Sequence, residues 1–188
     1  MEDPYVYPGT QTLLNLENIR DAAEAEIFER VMTANRLETL PSLNPASVAG
    51  YKQLHRYIFQ DVYAWAGRYR TVDIGKSGYI FCRPAYIERE MTLRFSLIRD
   101  FARRLHNFDT TEFVRHLATH VCELNAIHPF REGNGRTLRG FIEYMCGRAQ
   151  HPIDLARLDR ERWIIASIGG FRDADHEAMC AVLWDALV

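Results

Sequence analysis

The segment His128-Pro129-Phe130-Arg131-Glu132-Gly133-Asn134-Gly135-Arg136-Thr137-Leu138-Arg139 constrains this chain more than any other stretch. Helical periodicity runs into it through Phe113, Leu117, Val121, Leu124 and Ile127, and away from it through Leu138, Phe141, Ile142 and Met145. Two helices must therefore turn about a Gly-Asn-Gly hinge, bury their apolar faces and leave the turn exposed at one end. Asp109-Thr110-Thr111-Glu112 has the form of a capping box that opens the first helix. His151-Pro152 closes the second, near Arg148.

The side chains gathered in the turn suit a polyphosphate. Glycine adopts backbone conformations closed to other residues, so the N–H groups of Gly133, Asn134 and Gly135 can converge on an anion. The positive N-terminus of the following helix points at the same place. Arg136 and Arg139 share one helical face and reach towards a phosphate tail. Glu132 offers a hard oxygen of the kind that binds Mg²⁺ together with substrate phosphates. His128 exchanges a proton near neutral pH. Each residue alone has a plainer explanation: a connecting turn, a surface Glu132–Arg136 pair, a packed histidine. A nucleotide site accounts for all of them at once.

The same twelve residues resemble the signature of the Fic family, His-Pro-Phe-x-(Asp/Glu)-Gly-Asn-Gly-Arg-x-x-Arg, at every specified position. Asp61-Val62-Tyr63-Ala64-Trp65-Ala66-Gly67 also resembles what Fic domains carry at this place. The resemblance implies a protein adenylyltransferase that moves AMP from ATP, with Mg²⁺, to a Tyr, Thr or Ser hydroxyl of a target protein. It gives His128 the part of the base, Glu132 that of the metal ligand, and Gly133, Asn134 and Gly135 that of the phosphate cradle. It gives Arg136 and Arg139 the β and γ phosphates, makes Phe130 the anchor of the loop, and places Trp163 near the adenine. The phosphorylating Doc branch has Lys where Gly135 stands, and phosphocholine-transferring relatives have Ala where Gly133 stands. This chain departs towards neither.

Many Fic proteins silence themselves with a helix of pattern (Ser/Thr)-x-x-x-Glu-(Gly/Asn). Here Glu precedes Gly or Asn only at Glu17-Asn18 and Glu132-Gly133, with Leu13 and His128 four positions earlier, so neither fits. The resemblance then implies a separate small antitoxin that brings the inhibitory glutamate. It also implies a bacterial toxin acting on type II topoisomerase subunits, those of gyrase or topoisomerase IV. Two alternatives stay open: a secreted effector that modifies host GTPases, and a catalytically silent peptide-binding module.

Length and composition suit one folded domain over residues 1–188, with 47% hydrophobic and 26% charged residues. Within it the arm is expected at 1–18, the flap at 71–82 and the helix-turn-helix core at 109–148. A net charge of −2 leaves no basic footprint for nucleic acid. No apolar run approaches the ~20 residues of a membrane span. Four widely spaced cysteines and no signal peptide point to reduced thiols and a cytoplasmic chain.

The remaining pattern is mainly helical. The spacing predicts helices from about 16 to 37, with Ile19, Ala23, Ile27 and Val31 spaced every four residues, and from 47 to 66, a helix that Gly67 stops. A third runs from 85 to 105 on Leu93, Leu97, Phe101 and Leu105. Two shorter helices, 159–168 and 173–187, flank Gly169-Gly170. Residues 71–74 and 79–82 read as strands joined by 75–78, a hairpin or a mere turn. Fic domains place such a flap beside the active site, where its unpaired edge registers the target by strand addition. The fold expected is thus all-α with one small β-hairpin. His116, His120 and Glu123 share a helical face, but no further ligand follows and they are read as structural.

Overall fold

The computed structural model describes residues 3–76 and 78–188. The described residues form seven α-helices and one antiparallel hairpin: α1 (Ala22–Glu38), α2 (Val48–Phe59), β1 (Gly75–Lys76), β2 (Tyr79–Ile80), α3 (Pro84–Arg103), α4 (Thr110–Ile127), α5 (Asn134–Arg148), α6 (Arg160–Asp173) and α7 (Glu177–Ala186). This is the mainly helical fold with a small flap that the pattern predicts.

At the centre, α4 and α5 meet at the 128–133 turn. Both arms of the capping box form: Asp109 accepts from the Glu112 N–H at 2.9 Å, and Glu112 accepts from the Asp109 N–H at 3.2 Å. Phe113, Leu117, Val121 and Leu124 of α4 are buried with Leu138, Phe141, Ile142 and Met145 of α5. Burying a side chain of this size stabilises the fold by about 1.5–3 kcal/mol. Tyr51 of α2 and Phe95 of α3 complete the packing, and Tyr51 stacks on the fully buried Phe130. The turn is thus anchored through its own third residue, Phe130.

Several boundaries and faces differ from the sequence expectation. Helix α1 starts at Ala22, after the Asp21 cap, because 16–20 belong to the arm and Leu16 bonds the Val62 carbonyl at 2.9 Å. Its four-residue repeat does not mark the core: Ile27 and Val31 are exposed, whereas Phe28, Met32 and Thr33 face inward. Helix α3 behaves alike. Leu93 and Leu97 are exposed, and Ile87, Met91, Phe95 and Ile98 are buried, since a strict four-residue repeat drifts around a 3.6-residue turn. Helix α2 stops at Phe59, because Tyr63 and Trp65 leave the helix to stack on each other at 4.3 Å over the α1 side. Finally, α6 runs straight through Gly169-Gly170. Gly170 is there for proximity, since a Cβ would lie 2.7 Å from Cys122 Sγ on α4.

The hairpin is shorter than expected: its first strand, Gly75–Lys76, falls in the expected connection, and its second keeps Tyr79–Ile80 of 79–82. It pairs Gly75 with Ile80 and Lys76 with Tyr79, and Phe81 N–H to Ile74 O at 3.1 Å continues the ladder. Of the expected 75–78 connection, Ser77 lies outside the described residues. The arm lies over the molecule: Asp3 pairs with Arg131 at 2.7 Å, and Tyr5 packs edge-on against Trp65 and accepts from the Thr71 N–H. Met1 and Glu2 of the arm lie outside the described residues. Among the described residues no helix is long and apolar enough to cross a membrane.

Candidate active site

His128 ends α4 in the left-handed region, at φ 47° and ψ 63°. That conformation is uncommon for a residue with a side chain, and it is held from both sides. Its N–H bonds Leu124 O at 3.1 Å, and its carbonyl accepts from Arg70 Nε at 2.9 Å. The imidazole Nδ1 lies 3.2 Å from Asn125 O. A carbonyl only accepts, so Nδ1 carries the proton and Nε2 keeps a free lone pair. Phe81 stacks on the ring at 3.9 Å and 12°. Burial pulls the pKa down to about 4; the Asn125 bond opposes this, and the positive charges of Arg70 and Lys76 add to it. At neutral pH the ring is an uncharged base.

Arg70, which sequence reasoning passed over, is the knot behind that turn. It is 2% exposed, and its guanidinium donates to Val72 O at 2.7 Å, to Cys82 O, and to Ile127 O at 3.3 Å, besides His128 O. Its own N–H bonds Pro129 O at 2.9 Å. Both feet of the flap and the C-terminal carbonyls of α4 therefore share one cation, the charge that suits a helix C-terminus. Residue type alone does not separate Arg70 from the exposed Arg68 two places before it.

The loop between the helices is held equally tightly. Asn134 spends its side chain on Phe130, accepting from its N–H at 2.9 Å and donating to its carbonyl at 2.8 Å. Gly133 sits at φ 81°, and a Cβ there would be 2.2 Å from Phe59 Cζ. His55, fully buried in α2 and also passed over, accepts from Gly67 N–H through Nδ1 at 2.8 Å. Its Nε2 must then be the donor to Glu132 O, 3.0 Å away. Burial lowers its pKa to about 4 against that bond, which favours the charged form. The ring stacks on Phe130 at 3.8 Å.

The anion cradle is narrower than the sequence suggests. The Gly133 N–H is taken by Glu132 Oε1 at 2.8 Å, whereas the N–H groups of Asn134, Gly135 and Arg136 head α5 and have no acceptor inside the helix. Glu132 keeps its second oxygen unengaged on a half-exposed side chain. The two arginines are not equivalent. Arg139 is exposed. Arg136 is clamped: it pairs with Glu29 of α1, donates to Thr33 Oγ1 at 3.1 Å and lies 4.6 Å over the Phe59 ring. Trp163, on α6, is partly buried and lines a recess of about 120 Å³ with His128, Tyr79, Phe81 and Phe171. His116, His120 and Glu123 do not converge as ligands, for Glu123 pairs with Arg94 at 2.8 Å and His120 is buried against Phe101.

Comparison with known proteins agrees with this geometry. The profile of the Fic/DOC family matches residues 45–146, more than half of the chain. The probable protein adenylyltransferase y4lH of Sinorhizobium fredii is 41% identical over 174 residues, which cover 91% of this chain and 89% of that protein. The probable protein adenylyltransferase Fic of Escherichia coli is 35% identical, with 89% and 84% covered. Among solved structures, the N-terminal Fic domain of a putative cell filamentation protein from Bartonella quintana, with bound ADP, superposes at TM-score 0.86. It is 25% identical over 98% of this chain and 94% of that one. The N-terminal Fic domain of Bep8 from Bartonella sp. 1-1C, at TM-score 0.89 and 23% identity over 97% and 93%, shares the fold. The chain belongs to the Fic/DOC family, as one of its protein adenylyltransferases.

Proposed function

We propose that this chain transfers AMP from ATP to a Tyr, Thr or Ser hydroxyl of a target protein, with His128 as base. The observation that carries the reading is a neutral imidazole with an unengaged Nε2, one loop away from the N-terminus of α5. In the reaction the acceptor oxygen forms a bond to the α-phosphorus, the bond from that phosphorus to the bridging oxygen breaks, and pyrophosphate leaves. The hydroxyl proton goes to His128 Nε2. The amides of Asn134, Gly135 and Arg136 face the charge that develops on the α-phosphoryl oxygens, and Arg139 holds the outer phosphates.

Glu132 fits Mg²⁺ in donor type, a single carboxylate with one oxygen unengaged beside the helix N-terminus. When bound, the ion neutralises the leaving pyrophosphate. The recess at Trp163 takes the adenine, an apolar slot with an aromatic wall. Across the flap, the edge of β1–β2 pairs with an extended target segment and sets one hydroxyl against the α-phosphate. In this reading the chain is the toxin of a toxin–antitoxin pair in the cytoplasm, restrained by a small partner that supplies a glutamate. Gyrase and topoisomerase IV subunits are then the first acceptors to test.

A second reading, a translocated effector acting on host GTPases, draws on the likeness to the type IV secretion system effector BepA. That protein is 26% identical at TM-score 0.85, with 97% of this chain and 68% of that one covered. Incubation with ATP labelled at the α or the γ phosphorus decides the chemistry. Label retained on protein from the α position alone is expected. Label from γ alone would make the chain a kinase, and label from neither would make it a binding module. The acceptor that carries the label, topoisomerase subunit or GTPase, separates the two readings.

A further inference from the structure

We propose that Glu29 of α1 is a positioning residue of this site: it ties up the charge of Arg136, which leaves the Glu132 carboxylate to a cation and the outer phosphates to Arg139. The proposal rests on the nucleotide reading above. It divides the labour of two arginines that the sequence presents as a pair.

The geometry fixes Arg136 on several sides. One terminal nitrogen pairs with Glu29 Oε1, the other donates to Thr33 Oγ1 at 3.1 Å, and the guanidinium plane rests over Phe59 at 4.6 Å. Thr33 is 2% exposed and gives its own hydrogen to Glu29 O at 2.8 Å, so only its lone pair faces Arg136. Glu29 is itself oriented, because its other carboxylate oxygen accepts from the Tyr63 hydroxyl. Tyr63 is in turn stacked on Trp65. Two neutral hydroxyls and one ring thus hold an ion pair in which the side chains are only 26% and 17% exposed.

Glu132 lies 3.8 Å from the same guanidinium. An arginine with no other counter-charge would close on it as an i,i+4 pair and compete with any cation for that carboxylate. The Glu29 contact is much the shorter of the two, so the charge of Arg136 is already matched and Glu132 keeps its second oxygen free. By the same token Arg136 is not available to swing out to a polyphosphate. The exposed Arg139, one turn further along α5, is.

Binding, rather than turnover, tests this. Free Mn²⁺ is titrated by electron paramagnetic resonance into the full chain with ADP present, and ADP alone is titrated calorimetrically in EDTA. Wild-type chain that binds no ADP in either format would defeat the nucleotide reading itself. With wild-type binding established, Glu29→Gln keeps the shape and the Tyr63 hydrogen bond but loses the charge. It is expected to weaken Mn²⁺ binding about fivefold, on the scale of a surface ion pair, and to leave metal-free ADP binding unchanged. Glu29→Asp, which keeps the charge, should restore most of the loss, and Glu29→Gln with Arg136→Gln should recover it by removing the competitor. Should Glu29→Gln not fold, Arg136→Gln alone decides, with Mn²⁺–ADP binding retained as the expected result. The proposal is overturned by unchanged Mn²⁺ affinity in folded Glu29→Gln, by tighter metal-free ADP binding in that variant, or by loss of ADP binding in Arg136→Gln.

Discussion

The proposed base has to be neutral and unengaged on the correct nitrogen, and in His128 one backbone carbonyl and the surroundings of the ring arrange both. Asn125 O selects the tautomer, and burial beside Arg70 and Lys76 disfavours the charged ring. Replacing His128 by Ala should lower AMP transfer by about 10²–10⁴-fold while calorimetric ADP binding stays as in wild type. Equal loss of both would remove His128 from the role. Because its pKa lies near 4 and not at the ordinary 6.5, the acid limb of kcat/KM should fall away only as pH drops towards 4, in initial-rate measurements across that range. The candidate residues His128, Glu132 and Arg139 were legible in the sequence because they stand within one contiguous segment. Arg70, His55 and Glu29 were not. They act on His128, Glu132 and Arg136 across 58, 77 and 107 positions, and no local pattern marks such a partner.

At the scale of elements, the molecule depends on where one helix is allowed to touch another. Arg70 binds the flap feet and the end of α4 together, so Arg70→Met leaves four carbonyls to find other donors. A loss of about 2–4 kcal/mol is expected, read as a lower urea midpoint, together with weaker target labelling. Gly170→Val drives a branched side chain into Cys122 Sγ and Cβ, at 2.7 and 3.0 Å from the new Cβ. It should cost about 1–3 kcal/mol by overpacking and raise the KM for ATP, because α6 also carries Trp163. Sequence pattern found every helix but misjudged α6, since a Gly-Gly pair reads the same whether it ends a helix or admits a neighbour. It likewise placed the flap but not its register, which is set by Phe81 packing on His128 and by the carbonyls that Arg70 collects.

Over the whole molecule, two buried imidazoles, His55 and His120, and the half-buried His128 set the response to acid. His55 and His128 have pKa values lowered to about 4 and His120 to about 3, each chiefly by burial. From the ordinary 6.5 downward, the unfolded chain binds protons that the folded chain refuses. Stability is therefore fully present above pH 6.5 and is lost progressively as pH falls towards 4, by at most about 1.4 kcal/mol per pH unit for each histidine. Urea midpoints should hold between pH 7.5 and 6.5 and fall from there to pH 4.5, and a profile that stays flat below pH 6.5 would mean that these rings are not held neutral by the fold. In the proposed reading the 128–139 segment grips a nucleotide so that its innermost phosphorus faces His128. A crystal structure with Mg²⁺ and a non-hydrolysable ATP analogue decides it. Expected are phosphates on the first-turn amides of α5 and Arg139, Mg²⁺ on Glu132, and His128 Nε2 open towards the side from which a hydroxyl attacks the α-phosphorus. A nucleotide bound elsewhere, or the imidazole turned away from that phosphorus, would contradict it.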